Sequence, residues 1–138
     1  MENTGYPTIL IVDDEERNVR LLDVLLRTDG YRTLSASSGA EALALATSAQ
    51  PDLILLDLMM PGMDGFEVTQ ALKNASATAA IPVLIVSALD DVATRRRLLA
   101  SGADEFIRKP VDRWELSLRM SRLLGTDRSP EEDSANHG

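Results

Sequence analysis

Four short stretches carry side chains able to act together on a phosphoryl group: Asp13-Asp14-Glu15, Asp57, Ser87 and Arg108-Lys109-Pro110. Carboxylates gathered at one place repel each other, and a divalent cation removes that repulsion. Mg2+ prefers oxygen ligands, keeps several waters, and takes one or two carboxylates plus phosphate oxygens. A lysine offers a point charge for a carboxylate or a phosphoryl group. A serine hydroxyl can bond a phosphoryl oxygen. Asp57 is then a candidate nucleophile that forms an aspartyl phosphate. The cation and the ammonium stabilise charge on the equatorial oxygens. Each part also has an ordinary explanation. Asp13-x-x-Glu16 fits a helix capping box, Asp57 can cap a turn, Ser87 can be a structural strand-end serine, and Lys109 a loop lysine.

What decides between these explanations is where the elements put the residues. Residues 8–12, 53–56 and 83–86 are apolar, β-branched or leucine-rich runs; 32–36 is a weaker run and 106–107 a short fifth. Runs apolar on both faces belong to parallel sheets covered on both sides. Between them lie helical periods: Val19, Leu22, Leu25 and Leu26; Ala42, Leu43, Leu45 and Ala46; Phe66, Val68 and Leu72; then 92–100 and 114–124. Ser38-x-x-Glu41, Asp64-x-x-Glu67 and Asp112-x-x-Glu115 read as capping boxes. Gly30 and Gly102 stand just past helix ends, where a left-handed residue fits. Five strand-then-helix repeats predict an α/β fold, a doubly wound five-stranded parallel sheet. The natural strand order is 2-1-3-4-5, flavodoxin-like (βα)5. In such sheets function collects at the carboxyl ends of the strands, and all four chemical stretches fall there.

Bulk properties narrow the options. The 138 residues suit one domain, 1–124, with 125–138 a polar, disordered tail or the start of a linker. No run of about 18 apolar residues occurs, so no membrane span is expected. The absence of cysteine excludes disulfides and thiolate metal sites and fits a cytoplasmic setting. The net charge of -8 argues against direct nucleic-acid binding.

The sequence resembles a two-component response regulator receiver domain, of the chemotaxis-regulator-like superfamily. IVDDEE at 11–16, ILLDLMMPGMDG at 54–65, VSA at 86–88 and FIRKP at 106–110 carry the likeness. The resemblance implies that Asp57 is the phosphoacceptor in a phosphorelay. It implies that Asp13, Asp14, Asp57 and the Met59 backbone carbonyl bind Mg2+, with Mn2+ a substitute. Ser87 and Lys109 would contact the phosphoryl group, Lys109-Pro110 would be a cis peptide, and Ser87 with Phe106 would form a switch pair. The implied donor is a histidine kinase or histidine phosphotransfer protein. The implied receiver of the signal is an output domain or effector protein, met through the fourth helix, fifth strand and fifth helix; homodimerisation is a separate expectation. Such a domain is not an enzyme beyond assisting its own phosphorylation and dephosphorylation. Asn18-Val19-Arg20 after the acidic pair resembles receivers in hybrid kinases and those joined to cyclic-di-GMP enzymes. Two departures stand out. Many members carry Tyr where Phe106 stands, and Phe has no hydroxyl. Met59 and Leu89, two residues after Asp57 and Ser87, are apolar and cannot orient a water, which predicts a long-lived aspartyl phosphate.

Three rivals are weaker. A haloacid-dehalogenase-like phosphatase needs a second Asp where Met59 stands, and a cap domain. A flavodoxin-like FMN carrier needs Ser/Thr and Gly in the first loop, which is DDEE. A receiver-shaped module that is never phosphorylated does not need the intact acidic set and Lys109. Elsewhere, Arg95-Arg96-Arg97 reads as a solvated helix face or a contact for an acidic partner. Trp114, the single tryptophan, suits either an interface or packing on its own helix. His137 lies in the tail, without a chemical role.

Overall fold

The computed structural model describes residues 6–88 and 91–125. The expected tail from residue 126 onward, with His137, and the position of Leu89 lie outside the described residues. Five strands alternate with five helices: β1 Thr8–Val12, α1 Glu16–Thr28, β2 Arg32–Ala36, α2 Gly39–Ala49, β3 Leu53–Asp57, α3 Gly65–Asn74, β4 Val83–Ser87, α4 Val92–Ser101, β5 Glu105–Arg108 and α5 Arg113–Leu124. The sheet is parallel throughout, in the order β2-β1-β3-β4-β5. This is the doubly wound, flavodoxin-like architecture expected from the strand-then-helix repeats.

Burial explains which strands read clearly. Every residue of β3 and β4 is buried, so their runs are apolar on both faces. The edge strands β2 and β5 are partly exposed and correspondingly mixed in composition. One face of the sheet packs Ala42 and Ala46 of α2, Val68 and Leu72 of α3, and Leu98 of α4 against Leu10, Ile54, Leu56 and Ile85. The other packs Leu22 and Leu26 of α1 and Leu116 and Met120 of α5 against Ile11, Leu55, Val86 and Ile107. Each fully buried Leu or Ile contributes about 1.5–3 kcal/mol by transfer from water. The sheet edge that carries the polar groups is therefore held from both sides.

Helix ends differ in detail from the expected pattern. Asp64 and Glu67 form a reciprocal capping box, with Asp64 Oδ1 accepting from the Glu67 amide at 3.0 Å and Glu67 Oε1 from the Asp64 amide at 2.9 Å. Ser38 caps α2 through the Glu41 amide, but the Glu41 carboxylate reaches one residue further and accepts from the Ser37 amide at 2.8 Å. Asp112 caps α5, while the Glu115 carboxylate turns to Arg119 instead. Asp91, an N-cap the sequence reading passed over, holds α4 through the Thr94 amide. Gly30 and Gly102 adopt φ of 93° and 95°, as their positions after helices anticipate. Gln50 ends α2 with φ 50°, an uncommon conformation for a side-chain-bearing residue. Its amide holds the turn by donating to the carbonyls of Ala46 at 3.2 Å and Ala77 at 3.0 Å.

β3 and β4 each run one residue further than the apolar runs suggest, so Asp57 and Ser87 are strand residues. The reason lies in the backbone ladder. The Leu58 amide donates to Val86 O at 3.1 Å and the Lys109 amide to Ser87 O at 2.8 Å. Both side chains therefore project from rigid sheet rather than from loop.

Candidate functional site

β1, β3, β4 and β5 end at one edge of the sheet. Asp13 follows β1 directly, its amide donating to Ala36 O at 3.1 Å. Asp57 closes β3 and lies opposite Val86. Ser87 closes β4 opposite Arg108, the residue before Lys109. Oxygens of Asp13, Asp14 and Asp57 lie within 4.8 Å of one another. Lys109 Nζ stands 3.0 Å from Asp57 Oδ1. The structure thus brings together the acidic pair, Asp57 and Lys109, with Ser87 at the adjoining strand end.

The capping explanation for Asp13-x-x-Glu16 does not hold. The residue at the N-cap of α1 is Glu15, and it makes no side-chain cap bond. Asp13 Oδ1 instead accepts from the Glu15 amide at 2.9 Å, which turns the acidic loop back toward the sheet edge.

Burial sets the electrostatics. Asp57 is 6% exposed, Asp13 3% and Ser87 1%, whereas Asp14 is open to solvent. Burial pushes the Asp57 carboxyl above the usual carboxylate range; Lys109 pulls it back down, and the charges of Asp13 and Asp14 push it up again. The Lys109 contact has ion-pair distance, but Asp57 Oδ1 accepts no well-aligned hydrogen bond from the described residues. Lys109 therefore acts on it as a point charge. A buried carboxylate oxygen left without a hydrogen bond costs about 1–3 kcal/mol or more. Three carboxylates and this orphaned oxygen fit a hard divalent cation, an oxygen-seeking ion that offsets both the repulsion and the missing bond.

The other expected site residues sit around this centre. Lys109-Pro110 is a cis peptide. Met59 follows Asp57 by two residues and is 61% exposed. Phe106 lies opposite Ile85, one pleat before the Ser87–Arg108 pair, so it shares the sheet face of Ser87. Its ring is partly buried against the α2–α3–α4 side of the core, and the Arg95 guanidinium lies 5.8 Å from the ring centre. The arginine run is exposed, yet two of its members engage aromatic rings, since Arg97 also stacks 3.9 Å over Phe66. Trp114 is exposed on α5, with the Arg113 guanidinium 5.1 Å from its ring.

Gly65 is a site-building residue the sequence reading passed over. A Cβ there would stand 2.8 Å from Leu58 Cα and 3.0 Å from Asp57 O. Its amide donates to Leu58 O at 2.8 Å, so the start of α3 presses directly on the backbone of the candidate nucleophile. The Asp64-Gly65 pair just after the Pro61-Gly62 turn was the available signal. Gly65→Ala is expected to lose about 1–3 kcal/mol, as overpacking of a tight contact does. Thermal melting measures this, and an unchanged midpoint refutes the close-approach role.

The fold and this edge define a flavodoxin-like α/β domain with an acidic site at the strand ends. Within that class, residues 9–121 match the response regulator receiver domain, and the chain belongs to this family. It is 48% identical over 115 residues to response regulator PleD of Caulobacter vibrioides, covering 83% of this chain and 25% of that one. Protein PilH of Pseudomonas aeruginosa is 36% identical over 84% of this chain and 96% of its own. The chain thus spans about a quarter of PleD and nearly all of PilH. Among solved structures, the receiver domain of a Pseudomonas aeruginosa sensor histidine kinase, with magnesium in its active-site cleft, superposes with TM-score 0.82 at 27% identity, over 88% of this chain and 99% of that one. The receiver domain of a Syntrophus aciditrophicus histidine kinase gives 0.81 at 36% identity, over 89% and 94%. The chain is therefore homologous to the response regulators of two-component systems. Receiver domains are generally regulatory rather than catalytic and typically bind Mg2+, and response regulators interact with histidine kinases and output domains. No described helix is long and apolar enough to cross a membrane.

Proposed function

We propose that this domain is a phosphorylation-controlled switch whose phosphoacceptor is Asp57. The donor is the phosphohistidine of a histidine kinase or histidine phosphotransfer protein. The observation that carries this reading is the buried Asp57 carboxylate, with one oxygen that accepts no hydrogen bond from the described residues, 3.0 Å from Lys109 and within 4.8 Å of two further carboxylates. A carboxylate oxygen of Asp57 forms a bond to phosphorus as the donor's bond breaks, the electron pair leaving with the donor. Asp13, Asp14, Asp57 and the Met59 backbone carbonyl hold Mg2+, or Mn2+ in its place, which supplies charge stabilisation for the phosphoryl oxygens. Lys109 contributes a fixed positive charge to the same oxygens. The Ser87 hydroxyl donates to one of them, and Phe106, lacking a hydroxyl, responds through its burial alone.

The domain acts in the cytoplasm as a regulator and not as an enzyme, apart from assisting the gain and loss of its own phosphoryl group. Its output runs through α4, β5 and α5, where Leu99, Trp114 and Leu118 are exposed. That surface receives an effector, an output domain or a second copy of the chain. The acidic balance disfavours direct nucleic-acid contact. Incubation with acetyl phosphate and Mg2+ is expected to add one phosphoryl group by intact mass, mapped to the peptide spanning residues 53–63, and chelation to suppress it. No mass gain, or a phosphoryl group elsewhere, defeats the proposal.

The thioether of exposed Met59 offers neither a donor nor a strong acceptor to an attacking water, so hydrolysis of the aspartyl phosphate is slow. Met59→Asn supplies both. Its phosphorylated form is expected to decay roughly two- to tenfold faster, less than a full general-base effect. A decay time course of the two proteins checks this, and equal half-times remove Met59 from control of the lifetime.

A further inference from the structure

A cleft of about 480 Å3 opens beside Asp57, between α1 and the segment that follows β5. Asp57 and Lys109 stand at its polar end. Leu55 and Val86 floor the rest, with Leu21 and Leu22 on one wall and Pro110 and Val111 on the other. Asp13 belongs to the reactive edge, and beyond that edge the lining is hydrocarbon apart from Asn18, one turn before Leu21 and Leu22 on α1. Leu21 is 56% exposed, an apolar side chain kept at the cleft mouth where a polar one would cost the fold nothing.

We infer that this cleft is a leaving-group subsite, and that the domain takes phosphoryl groups from small acyl phosphates with apolar acyl chains in preference to acetyl phosphate. The inference rests on Asp57 being the phosphoacceptor. Charge and shape fix the order of the parts. The phosphoryl group is dianionic and belongs at the Lys109 end, beside the acidic cluster that would hold a divalent cation. The acyl chain then lies along Leu21, Leu22, Pro110 and Val111, out of water. An Asp57 carboxylate oxygen bonds to phosphorus, the bond between phosphorus and the bridging oxygen breaks, and the acyl group departs as a carboxylate with the electron pair. No proton or further reactant is needed. An apolar chain raises the rate only to the extent that the cleft buries it during transfer, and each buried methylene is worth roughly a three- to fourfold gain.

The test is a series of acetyl, propionyl, butyryl and hexanoyl phosphates with Mg2+ and the whole chain. Their leaving carboxylates have nearly the same acidity, so intrinsic reactivity is held constant. The apparent second-order rate of phosphorylation is expected to rise with chain length, by roughly tenfold from acetyl to hexanoyl after discounting incomplete burial. Leu21→Gln and Val111→Thr, each at the cleft wall, are expected to flatten the rise. Binding without transfer gives a second readout: hexylphosphonate should raise the melting temperature more than methylphosphonate in the wild type, and equally little in Leu21→Gln. A flat series in a protein that acetyl phosphate does phosphorylate overturns the subsite and leaves the phosphoacceptor standing. A rise that persists in both variants places the chain elsewhere and also overturns it. Failure of every donor to phosphorylate the protein defeats the phosphoacceptor reading, and the subsite with it.

Discussion

Asp57→Asn is expected to take up no phosphoryl group under conditions that load the wild type, and in metal-free buffer at neutral pH to melt at a higher temperature. The first effect is all or none, because the asparagine amide is not a competent nucleophile toward phosphorus. The second follows from where the charge sits. The Asp57 carboxyl titrates above its usual range in the folded protein, chiefly through burial, opposed by Lys109 and reinforced by the charges of Asp13 and Asp14. A carboxyl with a raised folded value binds its proton more tightly folded than unfolded. Stability is therefore lost as pH climbs from the unfolded carboxylate range through the folded value, and the loss is complete above it. Asparagine does not titrate, so the advantage of the variant opens as pH rises and closes again in acid. Lys109 loses its partner, but about a third of its side chain is exposed, 32%, and water takes over. Removing one buried like charge is expected to yield on the order of 1 kcal/mol, or roughly 3–5 °C in a domain of this size. Mg2+ should stabilise the wild type far more than the variant and shrink the gap. Melting curves from pH 4 to 8, with and without Mg2+, read all of this. A variant that melts lower at neutral pH without metal, or that gains a phosphoryl group at another position, contradicts the assignment.

The convergence behind that expectation is legible in the sequence for a specific reason. β1, β3 and β4 are buried on both faces, so their apolar runs stand out, and parallel strands must all end at one edge. Once the strand order is 2-1-3-4-5, Asp13, Asp57, Ser87 and Lys109 have nowhere else to point. The edge strands were fainter because most of their residues are at least partly exposed. What the sequence could not settle were questions of close geometry. Asp13-x-x-Glu16 has the spacing of a capping box, and only the path of the loop shows Asp13 bonding the Glu15 amide and Glu15 standing at the N-cap. Gly65 looks like one more turn glycine until the start of α3 is seen against the backbone of Asp57 and Leu58. Arg95 and Arg97 read as solvated charges because the rings they cover come from β5 and α3, distant in sequence. Local pattern specifies elements and their faces; contacts between elements depend on tertiary path.

Lys109→Met is expected to slow phosphorylation on the order of a hundredfold, the scale seen when one fixed charge or donor is removed from a developing anionic centre. Met is one atom shorter than Lys, keeps an unbranched, flexible chain and removes the ammonium, so steric change is small. Lys109 is aimed by the sheet itself: its amide donates to Ser87 O at 2.8 Å, and its ammonium reaches Asp57 Oδ1 at 3.0 Å. That contact tempers a buried charge, and under the proposed function the same ammonium would meet the phosphoryl oxygens in transfer. The substitution should therefore act twice, in ways that separate. Without metal at neutral pH, the orphaned Asp57 oxygen loses its one cationic neighbour among the described residues, and stability should fall by about 1–3 kcal/mol. Asp57→Asn should remove most of that penalty, because no charge then remains to be left alone. The double variant Asp57→Asn/Lys109→Met is thus expected to melt above Lys109→Met alone, a coupling that a merely structural lysine does not show. Saturating Mg2+ should restore much of the stability of Lys109→Met but not its rate, because the cation can neutralise the carboxylates without replacing the lysine at the phosphoryl group. Additive melting shifts in the cycle, or a full recovery of rate with Mg2+, would show that Lys109 only fills its loop.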